Sequence, residues 1–360
     1  MSELKPEISF SIGARHSLPA LTGDRPVVIL MHSHASRALI EEVRAMFGSR
    51  LKEMLYCPDG LMTIELADQM RQHFWSRHVG REVPTLIGIG GGSTLDLAKA
   101  MRIALTPQTS IMSVLDRPND INDFVACPLL LMPTTAGTGS EVSSTATLWD
   151  VHNGSKHSFY GTAAIADWAV VDPELCLTAP WLVTRDSGVD ALSHALEAIW
   201  NRQRVPKAFA FAMSAAQQIT RALPGLVDHP HDISLRAEMS QAALWAGQAM
   251  ALTETALVHA LSYEDTLRDG VSHGEACAKW LPRVYRLARE SSEELGIYLR
   301  AAMEPHVSDE WELQEWLINL GYKPVLLNDK DPAIDARIKA ALHSRRGKNF
   351  VTAERVHALH

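Results

Sequence analysis

Apolar residues are distributed in two textures along this chain. Up to about residue 178 they come as short unbroken runs separated by stretches of helical period. Pro26–Met31, Leu51–Tyr56, Pro84–Ile89 and Leu129–Met132 read as strands, because short apolar runs bounded by turn residues suit strands buried on both faces. Between them, Ala35–Phe47, Thr63–His78 and Asp96–Leu105 carry apolar positions at helical spacing. Such alternation predicts a parallel sheet covered by helices. After Pro180 strand signals nearly vanish, and Arg185–Asn201, Pro206–Leu223, Ser234–Ala251 and Thr253–Ser262 predict helices rich in Ala, Leu, Met and Gln. The change near Leu177–Pro180 divides the chain into an α/β domain over 1–178 and a helical domain over 179–360. The expected fold class is α/β: a Rossmann-like parallel-sheet domain, then an all-α domain. The NDKDP run Asn328–Pro332 reads as a loop between late helices.

Composition adds exclusions. The 360 residues are 46% hydrophobic and 21% charged, with a net charge of −8, and Ser344–Lys348 is the densest basic stretch. No basic patch of the kind nucleic acid requires is present, and that stretch reads as a solvated loop. No apolar run approaches a membrane span of about 20 residues, and the MSELKPEISFSIG opening lacks the charged-then-apolar pattern of a signal peptide. A cytoplasmic location is expected. The four cysteines, Cys57, Cys127, Cys176 and Cys277, form no C-x-x-C pair and read as buried free thiols.

Two glycine-rich segments each follow an apolar strand. Gly88-Ile89-Gly90-Gly91-Gly92-Ser93 runs into a helix that carries Asp96 and Lys99 in its first turns. Glycines let backbone approach a phosphate, and a helix N-terminus adds free N–H groups and a positive dipole end. Pro133-Thr134-Thr135-Ala136-Gly137-Thr138-Gly139-Ser140-Glu141 is dense in small and hydroxyl residues. Each segment alone is equally a tight turn or a capping loop; two of them after strands of one sheet favour a dinucleotide.

Asp190 and His194 lie four residues apart in GVDALSHALEAIW, on one face of a helix. That pair alone is more often a surface contact or a helix ion pair. His259, near the end of an apolar helix, and His273, in a Gly-flanked turn, extend it to one carboxylate and three imidazoles. This donor set suits Fe(II) or Zn(II) better than Mg or Ca. His229 and His231 sit in a polar loop, His32 and His34 end the first strand, and His343, His357 and His360 look peripheral.

Taken together, GIGGGSTLDLAKA, PTTAGTGSEV, GVDALSHALEA, RAEMSQAALWAGQAMALTETALVHAL and His273-Gly274, in this order, resemble the iron-containing (group III) alcohol dehydrogenase family over most of the chain. The resemblance implies the architecture shared with dehydroquinate synthases, a metal held by Asp190, His194, His259 and His273, and a cofactor touched by Gly90, Gly91, Gly92, Ser93, Thr134, Thr135 and Thr138. Lys156 aligns with a lysine near the cofactor ribose, and Asp96 and His32 are further cofactor candidates. The implied reaction passes hydride between NADPH or NADH and a small aldehyde, with one Fe2+ or Zn2+ polarising the carbonyl. A homo-oligomer, a dimer or larger, is implied too.

Three departures from the family pattern stand out. Where the family often has an Asp that selects NAD, this chain has Met31-His32, which makes NADPH at least as plausible. Tyr263-Glu264-Asp265-Thr266 replaces the segment that carries the family's proton-moving His, which makes Tyr263 a candidate proton donor although its ordinary pKa of about 10 makes it a poor base. Met250 stands where an aromatic residue often lines the pocket. The HALSY stretch is similar to phosphonoacetaldehyde reductases, but Glu264-Asp265 replaces their Pro-Leu, and Arg268 is the expected offsetting cation. Two other readings share the scaffold: a dehydroquinate-synthase-like cyclase, and a catalytically silent binding protein.

Overall fold

The computed structural model of the chain describes residues 6–78, 82–105, 109–115, 126–323 and 331–351. Asn328, Asp329 and Lys330 of the expected late loop, and His357 and His360, lie outside the described residues. By internal packing the chain forms two compact units: Met1–Thr135 with Ser140–Cys176, and Ala136–Gly139 with Leu177–His360.

The first unit is built on a six-stranded parallel sheet. Its strands are β1 (Glu7–Phe10), β2 (Val27–His32), β3 (Leu51–Cys57), β4 (Thr85–Gly90), β5 (Leu129–Pro133) and β8 (Trp168–Val171), in the order β1-β8-β5-β4-β2-β3. Helices α1 (Leu18–Thr22), α2 (Arg37–Phe47), α3 (Ile64–His78) and α4 (Gly92–Met101) cover it. The unbroken apolar runs are explained by this cover. Val28 and Leu30 enter one core, while Val27, Ile29 and Met31 enter the other, so successive residues of β2 are buried on opposite faces. A two-stranded antiparallel hairpin, β6 (Thr145–Asp150) and β7 (Ser155–Tyr160), completes the unit.

The strand order reverses at β2. From β2 the chain moves outward to β3, then returns to place β4 on the other side of β2. The carboxyl ends of β2 and β4 therefore flank a topological switch point, the place where open α/β sheets bind ligands. The glycine-rich segment Gly90–Ser93 leaves β4 there, and His32 ends β2.

The second unit holds α5 (Trp181–Ile199), α6 (Pro206–Asp228), α7 (Ile233–Thr253), α8 (Leu257–Asp269), α9 (His273–Ser291), α10 (Glu293–Met303), α11 (Glu310–Asn319) and α12 (Pro332–His343) around one core. Along α6 the buried positions Ala208, Ala212, Ala215, Ala216, Ile219, Ala222, Leu223 and Leu226 keep helical period. Alanine lets these helices pack closely, and Gly188 extends this on α5, since a Cβ there would meet Leu223 at 2.8 Å.

Several elements differ from expectation. Helix α4 begins at Gly92, not Asp96, because Gly91 caps it and Gly92, Ser93 and Thr94 form its first turn. Strands β1 and β8 span only four residues each, too short to stand out as a pattern. The expected helix Thr253–Ser262 is displaced to Leu257–Asp269: Glu254 has φ 60 and breaks the chain between α7 and α8.

Candidate metal centre and nucleotide loops

Four side chains from three helices meet in the second unit. Asp190 and His194 project from consecutive turns of α5, His259 from the first turn of α8, and His273 is the first residue of α9. The Nε2 atoms of His259, His273 and His194 lie 3.3, 3.5 and 3.9 Å from Asp190 Oδ1. Ligands at about 2.0–2.2 Å from a tetrahedral ion stand about 3.3–3.6 Å apart. The Asp190–His259 and Asp190–His273 spacings fall in that range, His194 stands just outside it, and the donor types suit one divalent ion.

Local chemistry fixes each group. Glu197, seven residues after Asp190 on α5, is fully buried. Its Oε2 accepts from Ala256 N at 2.6 Å, its Oε1 from His259 N at 3.2 Å, and Oε2 stands 2.8 Å from His259 Nδ1. One carboxylate thus caps the start of α8 and orients the imidazole that leaves it. An ionised carboxylate only accepts, so Nδ1 donates and Nε2 faces the cluster. His273 is set by an N-cap: Ser272 Oγ accepts from Glu275 N at 3.1 Å and donates to Asp186 Oδ2 at 2.5 Å. Gly274 is required next to it, because a Cβ there would lie 2.1 Å from Asp186 O. The start of α9 rests on the backbone of α5.

Electrostatics follow from burial and pairing. Burial alone would raise the Asp190 carboxyl; His194, His273 and His259 override it and hold Asp190 well below the usual carboxylate range. Burial pulls His194 down to about 4, against the pull of Asp190. For His259 burial is outweighed by Glu197 and Asp190, and its value rises to about 10. A proton on His259 therefore stands in the place a cation would take. His194 stacks on His259 with ring centroids 4.6 Å apart, and its buried Nδ1 has no hydrogen-bond partner among the described residues.

Two residues join the cluster that sequence reading did not single out as functional. Glu197 is one. The other is Cys277, one turn beyond His273 on α9; ligand atoms of Asp190, His259, His273 and Cys277 all lie within 4.8 Å of one another. The sequence signal for it is its spacing of four residues from His273 on one helix. Tyr263, one turn after His259, stacks on His273 with centroids 6.1 Å apart, and the Arg346 guanidinium lies 5.8 Å from the Tyr263 ring centroid. The charge of Arg346 is also felt at His194.

Arg268 and its acidic neighbours are turned elsewhere. Arg268 is exposed and paired with Glu264 at 2.6 Å, so the structure does not bring it to the cluster. Glu264 also meets Arg337 at 3.0 Å. Asp265 is buried against Arg337, Lys279 and Trp280. The two acids that look out of place beside an anionic substrate are thus neutralised by cations of their own. Met250 is half-buried in the last turn of α7, where its carbonyl accepts from Glu254 N.

In the first unit, no side chain caps the N-terminus of α4 at Gly91, which leaves the Gly92 and Ser93 amides at the carboxyl edge of β4. This fits a pyrophosphate. Gly90 serves packing: a Cβ there would sit 2.5 Å from Thr94. Thr134 is tied to the same edge by its N–H to Gly90 O at 3.0 Å, and Thr135 Oγ1 lies 3.4 Å from where a Gly91 Cβ would stand. Thr138 belongs with the second unit, where the neighbouring Gly139, at φ 62, approaches Gly247 so closely that a Cβ would lie 2.4 Å from its Cα. Lys156 lies over Trp149 on the hairpin, 5.3 Å from the ring centroid.

Asp96 is engaged by partners within its own unit. Its Oδ1 accepts from Ser140 Oγ at 2.6 Å and its Oδ2 from Thr147 N at 2.9 Å. Lys99, fully buried, donates to Ser143 O, Ser143 Oγ and Thr145 O. Together they bolt α4 to the hairpin. Burial pulls Lys99 down to about 8, while burial pushes the nearby Glu141 carboxyl up to about 7.

Comparison with known proteins identifies the family. The family model described as iron-containing alcohol dehydrogenase matches residues 6–173, and the model of that family's C-terminal region matches residues 184–310. Probable alcohol dehydrogenase EutG of Escherichia coli is 32% identical over 219 residues, which cover 60% of this chain and 55% of that protein. Phosphonoacetaldehyde reductase of Streptomyces viridochromogenes is 33% identical over 205 residues, 57% of this chain and 52% of that protein. The aligned segment thus spans about half the length of these curated relatives. Among solved structures, sulfoacetaldehyde reductase of Bifidobacterium kashiwanohense in complex with NAD+ has the same fold, with a TM-score of 0.82 at 23% identity over 98% of this chain and 96% of that one. The chain belongs to the iron-containing alcohol dehydrogenase family.

Proposed function

We propose that this protein is a metal-dependent alcohol dehydrogenase/aldehyde reductase that passes hydride between NAD(P)H and a small aldehyde. The observation that carries the reading is the convergence of three imidazole Nε2 atoms on Asp190 Oδ1, with Glu197 behind His259. Asp190, His194, His259 and His273 would hold Fe2+ or Zn2+. Such an ion supplies Lewis-acid polarisation of a carbonyl, and a nicotinamide supplies the hydride. The chain's own part is position and charge. Glu197 holds His259 in one tautomer. The Gly92 and Ser93 amides, with Thr134, Thr135 and Thr138, bind the dinucleotide, and Lys156 is assigned to its ribose. Tyr263, against His273, lines the substrate side and is the proton donor assigned here.

The substrate assigned is a short aldehyde with an anionic group, phosphonoacetaldehyde being the case supported by similarity to its reductase. Arg346, beside Tyr263, is the cation placed to receive that group. The reading includes a homodimer in the cytoplasm and no nucleic-acid or membrane partner; among the described residues no helix is long and apolar enough to cross a membrane. The test is the initial rate of NADH and NADPH oxidation by Fe(II)- or Zn(II)-loaded protein, with phosphonoacetaldehyde beside a neutral aldehyde of similar size. Net nucleotide oxidation with a preference for the phosphonate supports the full reading. Equal rates would leave a general aldehyde reductase, and no net oxidation with any aldehyde would overturn the dehydrogenase assignment in favour of a cyclase or a silent binder.

A further inference from the structure

Strand β2 ends without an acidic residue, yet a carboxylate stands at its exit. Strand β3 lies beside β2 in parallel register, His32 opposite Cys57. The two chain exits are joined where Ser33 N donates to Cys57 O at 3.1 Å. Two residues beyond Cys57, Asp59 reaches back across this junction. Its Oδ1 accepts from Ser33 Oγ at 2.5 Å, and its Oδ2 lies 2.8 Å from His34 Nε2. The carboxylate is exposed, with 68% of its side chain open to solvent. Its charge is felt at His32 as well as His34.

The chemistry of this corner is that of an acceptor. Ser33 already directs its hydroxyl proton at Asp59, and the His34 ring nitrogen faces the same carboxylate, so both are committed before any ligand arrives. Arg37, in the first turn of α2, directs its guanidinium at Glu41 at 2.7 Å. A carboxylate held at the exit of β2, the strand next to the one that carries the phosphate-binding loop, accepts from ribose hydroxyls and repels a 2′-phosphate.

We infer that Asp59, supplied by the edge strand, is the residue that selects a dinucleotide with a free ribose 2′-hydroxyl, so that the protein uses NADH rather than NADPH. The inference rests on the nucleotide-binding part of the proposed function, and it reverses the expectation drawn from Met31-His32 alone.

Direct binding tests it without turnover. Titrating NADH and NADPH into the full-length protein, followed by nucleotide fluorescence, should show NADH binding at least about tenfold tighter. Asp59→Asn, which keeps an oxygen for Ser33, should close most of that gap by strengthening NADPH. Equal or tighter NADPH binding in the unaltered protein overturns the inference, as does an unchanged ratio in Asp59→Asn. Those results leave the dinucleotide site intact, whereas failure of both nucleotides to bind overturns the site and this inference with it.

Discussion

The Glu197 carboxylate stands 2.8 Å from His259 Nδ1, and through this contact the imidazole presents Nε2 to Asp190 at 3.3 Å. Glu197 also terminates the backbone of α8, so the orientation of one ligand and the start of one helix depend on the same group. Glu197→Gln keeps the shape but weakens the acceptor and leaves a donor facing buried N–H groups. Metal affinity should fall about 10–100-fold, as it does when such outer partners are removed elsewhere. Competition with a chromogenic chelator measures this; an unchanged affinity would return Glu197 to a purely structural role.

Metal loading should release a proton. In the metal-free protein His259 is held at about 10 against an ordinary 6.5, so it is charged at neutral pH. The sign follows: a raised value contributes stability that is complete below about pH 6.5 and is lost as pH rises through about 10. A cation bound at Nε2 must displace that proton, so binding at pH 7 should release about one proton and tighten as pH rises. Calorimetry in buffers of different ionisation enthalpy counts the proton; a count of zero contradicts the charge assigned to His259.

Asp96 should matter for stability before it matters for the cofactor. Asp96→Asn places an amide against either the Ser140 hydroxyl or the Thr147 N–H, both of which need an acceptor. The expected loss is about 1–3 kcal/mol, read by chemical denaturation. A variant of normal stability whose only change is a raised nucleotide KM would restore Asp96 to the cofactor.

The two arginines should separate cleanly. Arg268→Ala removes an exposed, solvent-screened pair with Glu264 and should leave kcat/KM within about twofold. Arg346→Ala should lower kcat/KM for phosphonoacetaldehyde more than for a neutral aldehyde. Equal losses for both substrates would make Arg346 a structural brace between Thr255 and Tyr263.

These contrasts show what the amino-acid pattern reveals and what it conceals. The parallel sheet was legible because strands covered on both faces need unbroken apolar runs, as in β2. The candidate metal set was legible because helical spacing places Asp190 and His194 together. The same spacing reaches Glu197 and links Cys277 to His273, so those two were within reach of the same rule. Asp59 was not, because it meets Ser33 and His34 only through the pairing of β2 with β3. Asp96 and Arg268 show the converse: the residue type suits a ligand, while the direction of the side chain is set by partners distant in the chain, or by a neighbour one helical turn away.

In the proposed function Asp190, His194, His259 and His273 hold one catalytic divalent ion. Its most direct test is metal content measured beside the rate of NADH oxidation in the same preparations of the unaltered protein, His259→Ala and His273→Ala. One Fe or Zn per chain is expected in the unaltered protein, with loss of both metal and most activity in each variant. Full metal content and full rate in either variant would contradict it.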